Sequence, residues 1–245
     1  MNSSKYSGQS YHRSIALKLL PLGMGLMILL MAGCATHPRP EHTYDYVERY
    51  DRMSEELDPI LSLVYFPEDA SLLHYDNVII GNMTVGENWI EDEELAQRYA
   101  TYMRIVLAQA LEKEDAFERV TLDPTEDFEG PTMRIEGMYT LFDPGSGTAR
   151  FFSFFVPFLQ KSGATDLQLE ARIYDIESGN LLMELVDRRR HLGHTPWLPN
   201  VGAFSDQFVM KHTVWETAHS IAAVLQQTAE GLSESEIEVS QEESQ

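Results

Sequence analysis

Two long helical segments that flank a series of strand patterns most constrain the fold of this 245-residue chain. Apolar residues recur at helical spacing over 93–114 and 206–229, so each segment predicts an amphipathic helix. Between them, 166–175 alternates apolar and polar residues, and 181–186 returns after the turn residues 177–180, which predicts a β-hairpin. Further strands are predicted over 75–85, 117–122 and 133–141.

The order of these elements predicts the fold class. Helices that each carry one apolar stripe need a sheet to pack against, and short strands joined by tight turns pair antiparallel. The chain is therefore predicted to form an α+β, two-layer domain with both long helices on one face of a mostly antiparallel sheet. Residues 43–231 would form this single domain. Residues 232–245, acidic and nearly free of large apolar side chains, would form a disordered tail.

The only cysteine, Cys34, follows a segment with the layout of a secretion signal. Residues 1–33 have a positively charged start without Asp or Glu, an apolar stretch over 19–31, and two small residues before the cysteine. A transmembrane helix is the alternative, but crossing a bilayer takes about 20 apolar residues. This stretch is shorter and is interrupted by Pro21, so the pattern favours a signal peptide over 1–33.

Residues 29–34, which read Leu-Leu-Met-Ala-Gly-Cys, resemble a bacterial lipobox, with Met31 where Leu is usual. The resemblance implies cleavage before Cys34 and acylation of that cysteine, palmitate included, with 34–42 as a lipidated N-terminus and linker. Several acyl chains give firm attachment, whereas a single chain binds only marginally. In such lipoproteins an Asp after the cysteine favours the inner membrane. Ala35 therefore implies a lipid-anchored protein on the periplasmic face of the outer membrane.

The net charge of the chain limits the kinds of partner that it can be expected to bind. Three of the 18 basic and none of the 39 acidic residues lie in 1–33, which leaves 15 basic and 39 acidic residues and a net charge of −24. This charge argues against nucleic acid, which binds through Lys and Arg, and against lying flat on anionic lipid. The expected partners are the bacterial membrane, through the acyl chains on Cys34, and a protein of the envelope.

Two stretches resemble a family of bacterial lipoproteins described as domain of unknown function 3313. One is 63–72 with 75–80, which read LVYFPEDASL and YDNVII; the other is the hairpin 163–179, which begins GATDL and ends DIESG. The likeness extends from Tyr50 to Leu225. Related periplasmic lipoprotein domains adopt an α/β fold similar to that of the curli-secretion lipoprotein, so the resemblance implies one such domain. The family has no assigned activity, and the resemblance implies no catalytic residues.

Two groups of residues are candidates for contact with a partner. The Phe-rich segment 151–159 is either an exposed loop that inserts into a partner or membrane, or a buried strand and corner of the core. The basic cluster 188–190 is either a partner contact or pairs across strands with Glu170 or Glu184. The candidate contact residues are Phe151, Phe152, Phe154, Phe155, Phe158, Arg188, Arg189 and Arg190.

No sequence pattern predicts a catalytic residue, a metal site or a cofactor. His191 and His194 lie close in sequence, but zinc needs three or four ligands. The acidic residues of 123–129 do not follow the spacing of an EF-hand loop. The chain lacks a Gly-x-Ser-x-Gly elbow, and acylation of Cys34 would leave no free thiol.

These observations predict a lipid-anchored binding or scaffolding module of the outer membrane. One alternative is a periplasmic hydrolase or ligand-binding enzyme, which would bring His191, His194 and the acids of 123–129 into one pocket. The other alternative is an accessory subunit of an envelope secretion or transport complex that docks through the Phe-rich segment.

Overall fold

The structure is a computed structural model that describes residues 38–41, 46–55, 57, 60–68, 70–87, 92–114, 117–146, 148, 163–191, 206–229 and 231. In these ranges six strands form one sheet in the order β1-β6-β5-β4-β2-β3. Strands β1 to β6 span Leu63–Tyr65, Asn77–Val85, Arg119–Thr121, Thr132–Asp143, Thr165–Asp175 and Leu181–His191. Helices α1 and α2 span Glu93–Glu114 and Asp206–Ala229. The predicted α+β class is confirmed, and both helices have the predicted bounds.

Helix α1 begins where the sequence places acidic residues. The side-chain Oδ1 of Asp92 accepts a hydrogen bond from the backbone N–H of Leu95 at 2.9 Å, which caps the first turn. Glu93 and Glu94 follow, where the helix dipole favours anions. The buried faces of the two helices join the sheet in one apolar core, which includes Met103, Leu107, Leu111, Met210, Val214, Ala218, Ile221 and Leu225.

The sheet is largely antiparallel. β1 pairs with β6, β6 with β5, and β5 with β4 in antiparallel register, whereas β2 runs parallel to both β3 and β4. Helix α1 supplies the crossover that a parallel connection from β2 to β3 requires. β2 is buried over most of its length, as expected for a strand with neighbours on both sides.

The hairpin of β5 and β6 closes through a tight turn and is longer than predicted. Asp175 Oδ1 accepts from the backbone N–H of Ser178 at 2.6 Å, and Gly179 adopts φ +70°, a conformation that favours glycine. The sequence predicts a return strand that ends at Val186, but β6 continues to His191. The charged residues that extend it are buried, as described below.

The N-terminal residues 38–41 and 46–55, here called the arm, lie across the sheet face opposite the helices. Residues 38–41 were predicted as linker, yet they contact the sheet. The end of the sheet formed by Asp143, Thr165 and His191 is called the arm end, because the arm starts there. The opposite end, formed by Asn77, Thr132 and the turn 176–180, is called the turn end. Among the helices described, none has the length and apolar character needed to cross a bilayer.

Candidate functional site

Side chains on the sheet face opposite the helices form a row of buried polar groups. Because side chains alternate along a strand, Gln168 and Glu170 point away from the helices, and so do Glu184 and Arg188 on β6. Gln168 and Glu170 are fully buried, Glu184 is 1% exposed and Arg188 is 7% exposed. A buried polar group without a hydrogen-bond partner costs about 1–3 kcal/mol. The arm supplies partners for this row.

The arm is held largely through its backbone. The Glu184 carboxylate accepts hydrogen bonds from the backbone N–H groups of Glu48 and Arg49, at 2.9 and 3.0 Å. Gln168 Oε1 accepts from the N–H of Glu41 at 2.8 Å, and its Nε2 donates to the Glu41 carbonyl at 2.7 Å. The side-chain amide of Gln168 therefore pairs with the arm much as the peptide group of a neighbouring strand would.

Arg188 connects the arm to β5. Its Nε and Nη2 donate to the two carboxylate oxygens of Asp166, each at 3.0 Å, in the bidentate geometry typical of strong Arg–carboxylate pairs. Its Nη1 donates to the carbonyl of Arg39 at 3.1 Å and to Oε1 of Glu41 at 2.9 Å. Burial acts to lower the pKa of Arg188, but the bonds to Asp166 and Glu41 outweigh it and raise that pKa.

A small apolar cluster and a cation–π contact complete the arm-covered face. The guanidinium carbon of Arg172 lies 4.8 Å from the ring centroid of Tyr46, within cation–π range. Arg172 Nε also lies 3.5 Å from a carboxylate oxygen of Glu184. Buried apolar residues of the arm, β1 and β6 pack together: Val47, Leu63 and Val186, with Tyr46, Tyr50 and Met53 against them. The arm is thus a third layer on the two-layer fold.

A buried ion pair lies on the other face, between β6 and α2. Asp187 is fully buried and Arg189 is 8% exposed. Oδ2 of Asp187 accepts from Nε of Arg189 at 2.7 Å and from the hydroxyl of Thr217 at 2.9 Å. Nη2 of Arg189 donates to the carbonyl of Ile60 at 3.0 Å and to the hydroxyl of Ser220 at 2.7 Å. The pair therefore fixes α2 and the segment before β1 to the last residues of β6.

Glu216 of α2 lies between two histidines beside this ion pair. Its carboxylate oxygens are 2.6 Å from Nε2 of His191 and 3.4 Å from Nε2 of His212, and Nη1 of Arg189 lies 4.0 Å away. Burial acts to raise the pKa of Glu216. The hydrogen bond and charge of His191, with the charges of His212 and Arg189, outweigh burial and hold that pKa below its ordinary value.

The outer side of α2 carries a stripe of aromatic rings, formed by Phe208, His212, Trp215 and His219 and here called the aromatic stripe. The spacing of four, three and four residues places them on one side of the helix. Phe208 is 55% exposed and Trp215 is 45% exposed. The ring of Trp215 lies 4.1 Å from that of His219 and 6.1 Å from that of His212. This is an exposed aromatic surface on a rigid element.

The structure places two residues of the predicted basic contact inside the molecule. Arg188 and Arg189 are buried, and each is held in ion pairs within this chain. A partner contact through these two guanidinium groups is therefore not supported, because they are already bound internally. Arg188 pairs with Asp166, whereas the sequence analysis named Glu170 and Glu184 as its alternative partners. Arg190 is only partly buried.

Cys34 and all five candidate phenylalanines lie outside the described residues. The residues that flank the Phe-rich segment are described, and they meet at the arm end. The hydroxyl of Thr165 donates to the carbonyl of Pro144 at 3.1 Å. Gly145 has φ +66°, and a Cβ there would lie 2.3 Å from the carbonyl oxygen of Ala164. Residues 144–145 and 164–165, before and after this segment, therefore lie close to where the arm starts.

His194, one member of the pocket predicted for the enzyme alternative, lies outside the described residues, and the described members do not lie together. His191 ends β6 at the arm end, whereas the acidic residues of 123–129 precede β4, which begins at the turn end. Strands of 11 residues separate these ends by about 35 Å. Asp123, Glu126, Asp127 and Glu129 are exposed. In the ranges that the structure describes, no group of three or more His, Cys, Asp or Glu could hold a metal ion.

Two sets of residues were missed by the sequence analysis. The polar side of β5, with Gln168 and Glu170, was recognised as alternating but was not predicted to be covered. No local sequence pattern in 38–55 predicts that the backbone of these residues binds the side chains of Gln168 and Glu170. The aromatic stripe was detectable, because its spacing is helical and lies opposite the predicted inner face of α2.

No protein-family model and no curated protein matches the chain. Among solved structures, a PelC dodecamer from Paraburkholderia phytofirmans is 11% identical with a TM-score of 0.39, covering 64% of this chain and 96% of that one. The hypothetical protein CT253 from Chlamydia trachomatis is 8% identical with a TM-score of 0.37, covering 62% and 97%. Likenesses at these scores carry no conclusion about this chain.

Proposed function

We propose that this protein is a lipid-anchored, periplasmic binding or scaffolding module of the bacterial outer membrane. The lipobox that ends in Cys34 supports the anchor. The observation that carries the proposal is the docked arm: Arg39 and Glu41, five and seven residues after Cys34, are bound to Arg188 and Gln168 of the sheet. An acyl group on Cys34 would therefore hold a folded domain close to the membrane.

The aromatic stripe is the proposed binding surface. Aromatic side chains are enriched at the centres of protein–protein interfaces, where they carry a large share of the binding energy. Phe208 and Trp215 are exposed on a helix whose opposite side is fixed in the core. A rigid helix presents such side chains without an ordering cost on binding. The expected partner is a protein of the envelope.

Acylation is tested by expressing the full chain in bacteria supplied with labelled palmitate. The wild type should incorporate label and fractionate with the outer membrane, whereas Cys34→Ser should lose the label and leave the membrane fraction. Met31→Leu is the matched control, since it keeps the lipobox and should be processed normally. Ala35→Asp should move the protein toward the inner-membrane fraction. An unlabelled wild-type chain would rule out the anchor.

The binding surface is tested by placing a photoreactive amino acid at Trp215 and, as a control, at Glu112, an exposed position of α1. Irradiation of intact cells should give a discrete crosslinked product from position 215 and none from position 112. If neither position crosslinks at native abundance, the scaffolding role is wrong.

A further inference from the structure

We infer that the acylated protein stands on the membrane by its arm end, so that the arm end faces the lipid headgroups and the turn end points away from the bilayer. This inference rests on the proposed acylation of Cys34. It concerns a surface of the domain and the partner it meets, a bilayer containing anionic phospholipid.

The first step is the place where the anchor chain joins the domain. The arm starts at the arm end, where Arg188 Nη1 binds the carbonyl of Arg39 and Gln168 binds both backbone groups of Glu41. From there it runs toward the turn end, and Glu48 and Arg49 bind Glu184 farther along the sheet. Of the described residues of the arm, those nearest Cys34 in sequence therefore lie toward the arm end.

The second step compares the tether with the length of the sheet. Arg39 lies five positions after Cys34 in the sequence. A fully extended chain of five residues spans at most about 18 Å. The residues of β5 from Gln168 to Asp175 span about 23 Å along the strand. With the arm docked, the arm end must stay near the headgroups. The turn end can approach them only if the domain tips onto one of its long faces.

The third step is the charge that opposes tipping. Acidic side chains lie at the turn end or beside it along the β3 edge: Asp76, Glu118, Asp123, Glu126, Asp127, Glu129 and Glu177. They outnumber the basic residues of the same region, which are Lys113, Arg119 and Arg134. Anionic headgroups attract basic segments and repel acidic ones within about a Debye length. The arm end also carries acids, at the start of α1. Charge therefore opposes approach of the turn end, and the tether selects the arm end as the end near the bilayer.

The test uses the absence of other cysteines from the mature chain. Since acylation consumes the thiol of Cys34, an introduced cysteine is the only reactive one. Glu87→Cys, after β2 at the arm end, and Glu177→Cys, in the hairpin turn, are matched because each replaces an exposed glutamate on a loop. Each purified lipoprotein is labelled with a fluorophore and reconstituted in phosphatidylethanolamine–phosphatidylglycerol vesicles that contain headgroup spin-labelled lipid.

Quenching at position 87 should exceed quenching at position 177 by at least about threefold, because the quencher acts only over short distances compared with the length of the strands. Equal quenching in an acylated protein would overturn the orientation and leave the anchor intact. Mass spectrometry of the same samples shows whether Cys34 is acylated and so distinguishes failure of the orientation from failure of the anchor. If Cys34 carries no acyl chains, the proposed function fails, and the orientation fails with it.

Discussion

The two faces of the sheet are buried by different means. The helix-covered face is closed by apolar side chains such as Leu169 and Ile173, which pack against α1 and α2. The arm-covered face is closed by Gln168, Glu170 and Glu184, whose oxygens accept hydrogen bonds from backbone N–H groups of the arm. An apolar face accepts any partner of suitable shape and volume. A polar face accepts a partner only where each buried group is satisfied.

Because of this difference, we expect the two faces to tolerate substitutions to different degrees. On the helix-covered face, the ion pair of Asp187 and Arg189 lies within an apolar layer, where apolar side chains could take its place. On the arm-covered face, the buried polar side chains hold the arm through hydrogen bonds to its backbone. Variants of the two faces, made in pairs, test whether this distinction is real.

The largest effect is expected from Asp187→Ala, which leaves Arg189 buried without its carboxylate partner. Breaking a buried ion pair by removing one member costs about 3–5 kcal/mol in free energy of unfolding. Urea denaturation followed by circular dichroism measures this loss. The double variant Asp187→Leu with Arg189→Met should recover part of it, because apolar side chains of similar volume suit an apolar layer, although the Ile60 carbonyl and the Thr217 and Ser220 hydroxyls lose their partners. A double variant as unstable as the single one would break the distinction between the faces.

The next effect is expected from Glu184→Ala on the arm-covered face. It removes the acceptor of the Glu48 and Arg49 N–H groups and should cost about 2–3 kcal/mol, with faster proteolysis of the arm. Here Glu184→Leu with Arg172→Met should not restore stability, because the two N–H groups still lack an acceptor.

A glutamate on the same face supplies the control for that experiment. Glu136 is 39% exposed and its contact with Arg134 is 4.0 Å long, so Glu136→Ala should cost no more than about 1 kcal/mol. Rescue of the Glu184 variant by the apolar pair would show that the arm is held by packing alone, contrary to the comparison.

The sequence predicted the helix-covered face far better than the arm-covered one, for a physical reason. Helices α1 and α2 have local signals: apolar spacing, acidic residues at the start of α1 and Gly231 after α2. The hairpin has alternation and turn residues. Each of these signals lies within a few neighbouring residues, so it can be recognised from the sequence without knowledge of the fold.

The missed features depend on contacts between distant parts of the chain. β6 was predicted to end at Val186 because Asp187 and the three arginines break the apolar pattern. In the structure Asp187, Arg188 and Arg189 are bound by Thr217, Ser220, Asp166 and Glu41, which lie 22 to 147 residues away. Residues 38–41 of the arm were predicted as linker for the same reason, whereas 46–55 were placed within the domain. The binding groups of the arm are backbone amides, which every sequence has, and their acceptors lie more than 120 residues away.

A smaller effect is expected at the rim of the helix-covered face, where Glu216 meets His191 and His212. A carboxyl whose pKa is lowered by folding stabilises the protein above its ordinary pKa, 4.5 for this group, and this contribution is lost as the pH falls through the folded-state pKa. Glu216→Gln should therefore cost about 1 kcal/mol at neutral pH and show a weaker loss of stability on acidification than the wild type. Urea unfolding at pH 7 and near pH 4 measures both values.

The exposed Glu112 of α1 provides a control that changes the net charge by the same amount. Glu112→Gln should leave the pH dependence of unfolding unchanged. If both variants reduce the loss of stability on acidification equally, the cause is net charge and not the pairing of Glu216 with its histidines.

The smallest effect is expected at the turn end, where the hydroxyl of Tyr75 donates to Oδ2 of Asp175 at 2.9 Å. Burial and this hydrogen bond raise the pKa of Tyr75 to about 12, from an ordinary value of 10.0. The folded state therefore keeps its proton where the unfolded chain loses it, so this contribution is complete below pH 10 and lost between pH 10 and 12. Tyr75→Phe should lose less stability than the wild type across that interval, as measured by urea unfolding at stepped alkaline pH. Parallel alkaline curves for the two proteins would mean that Tyr75 has no such role, and that the alkaline loss comes from tyrosines under the arm and helices.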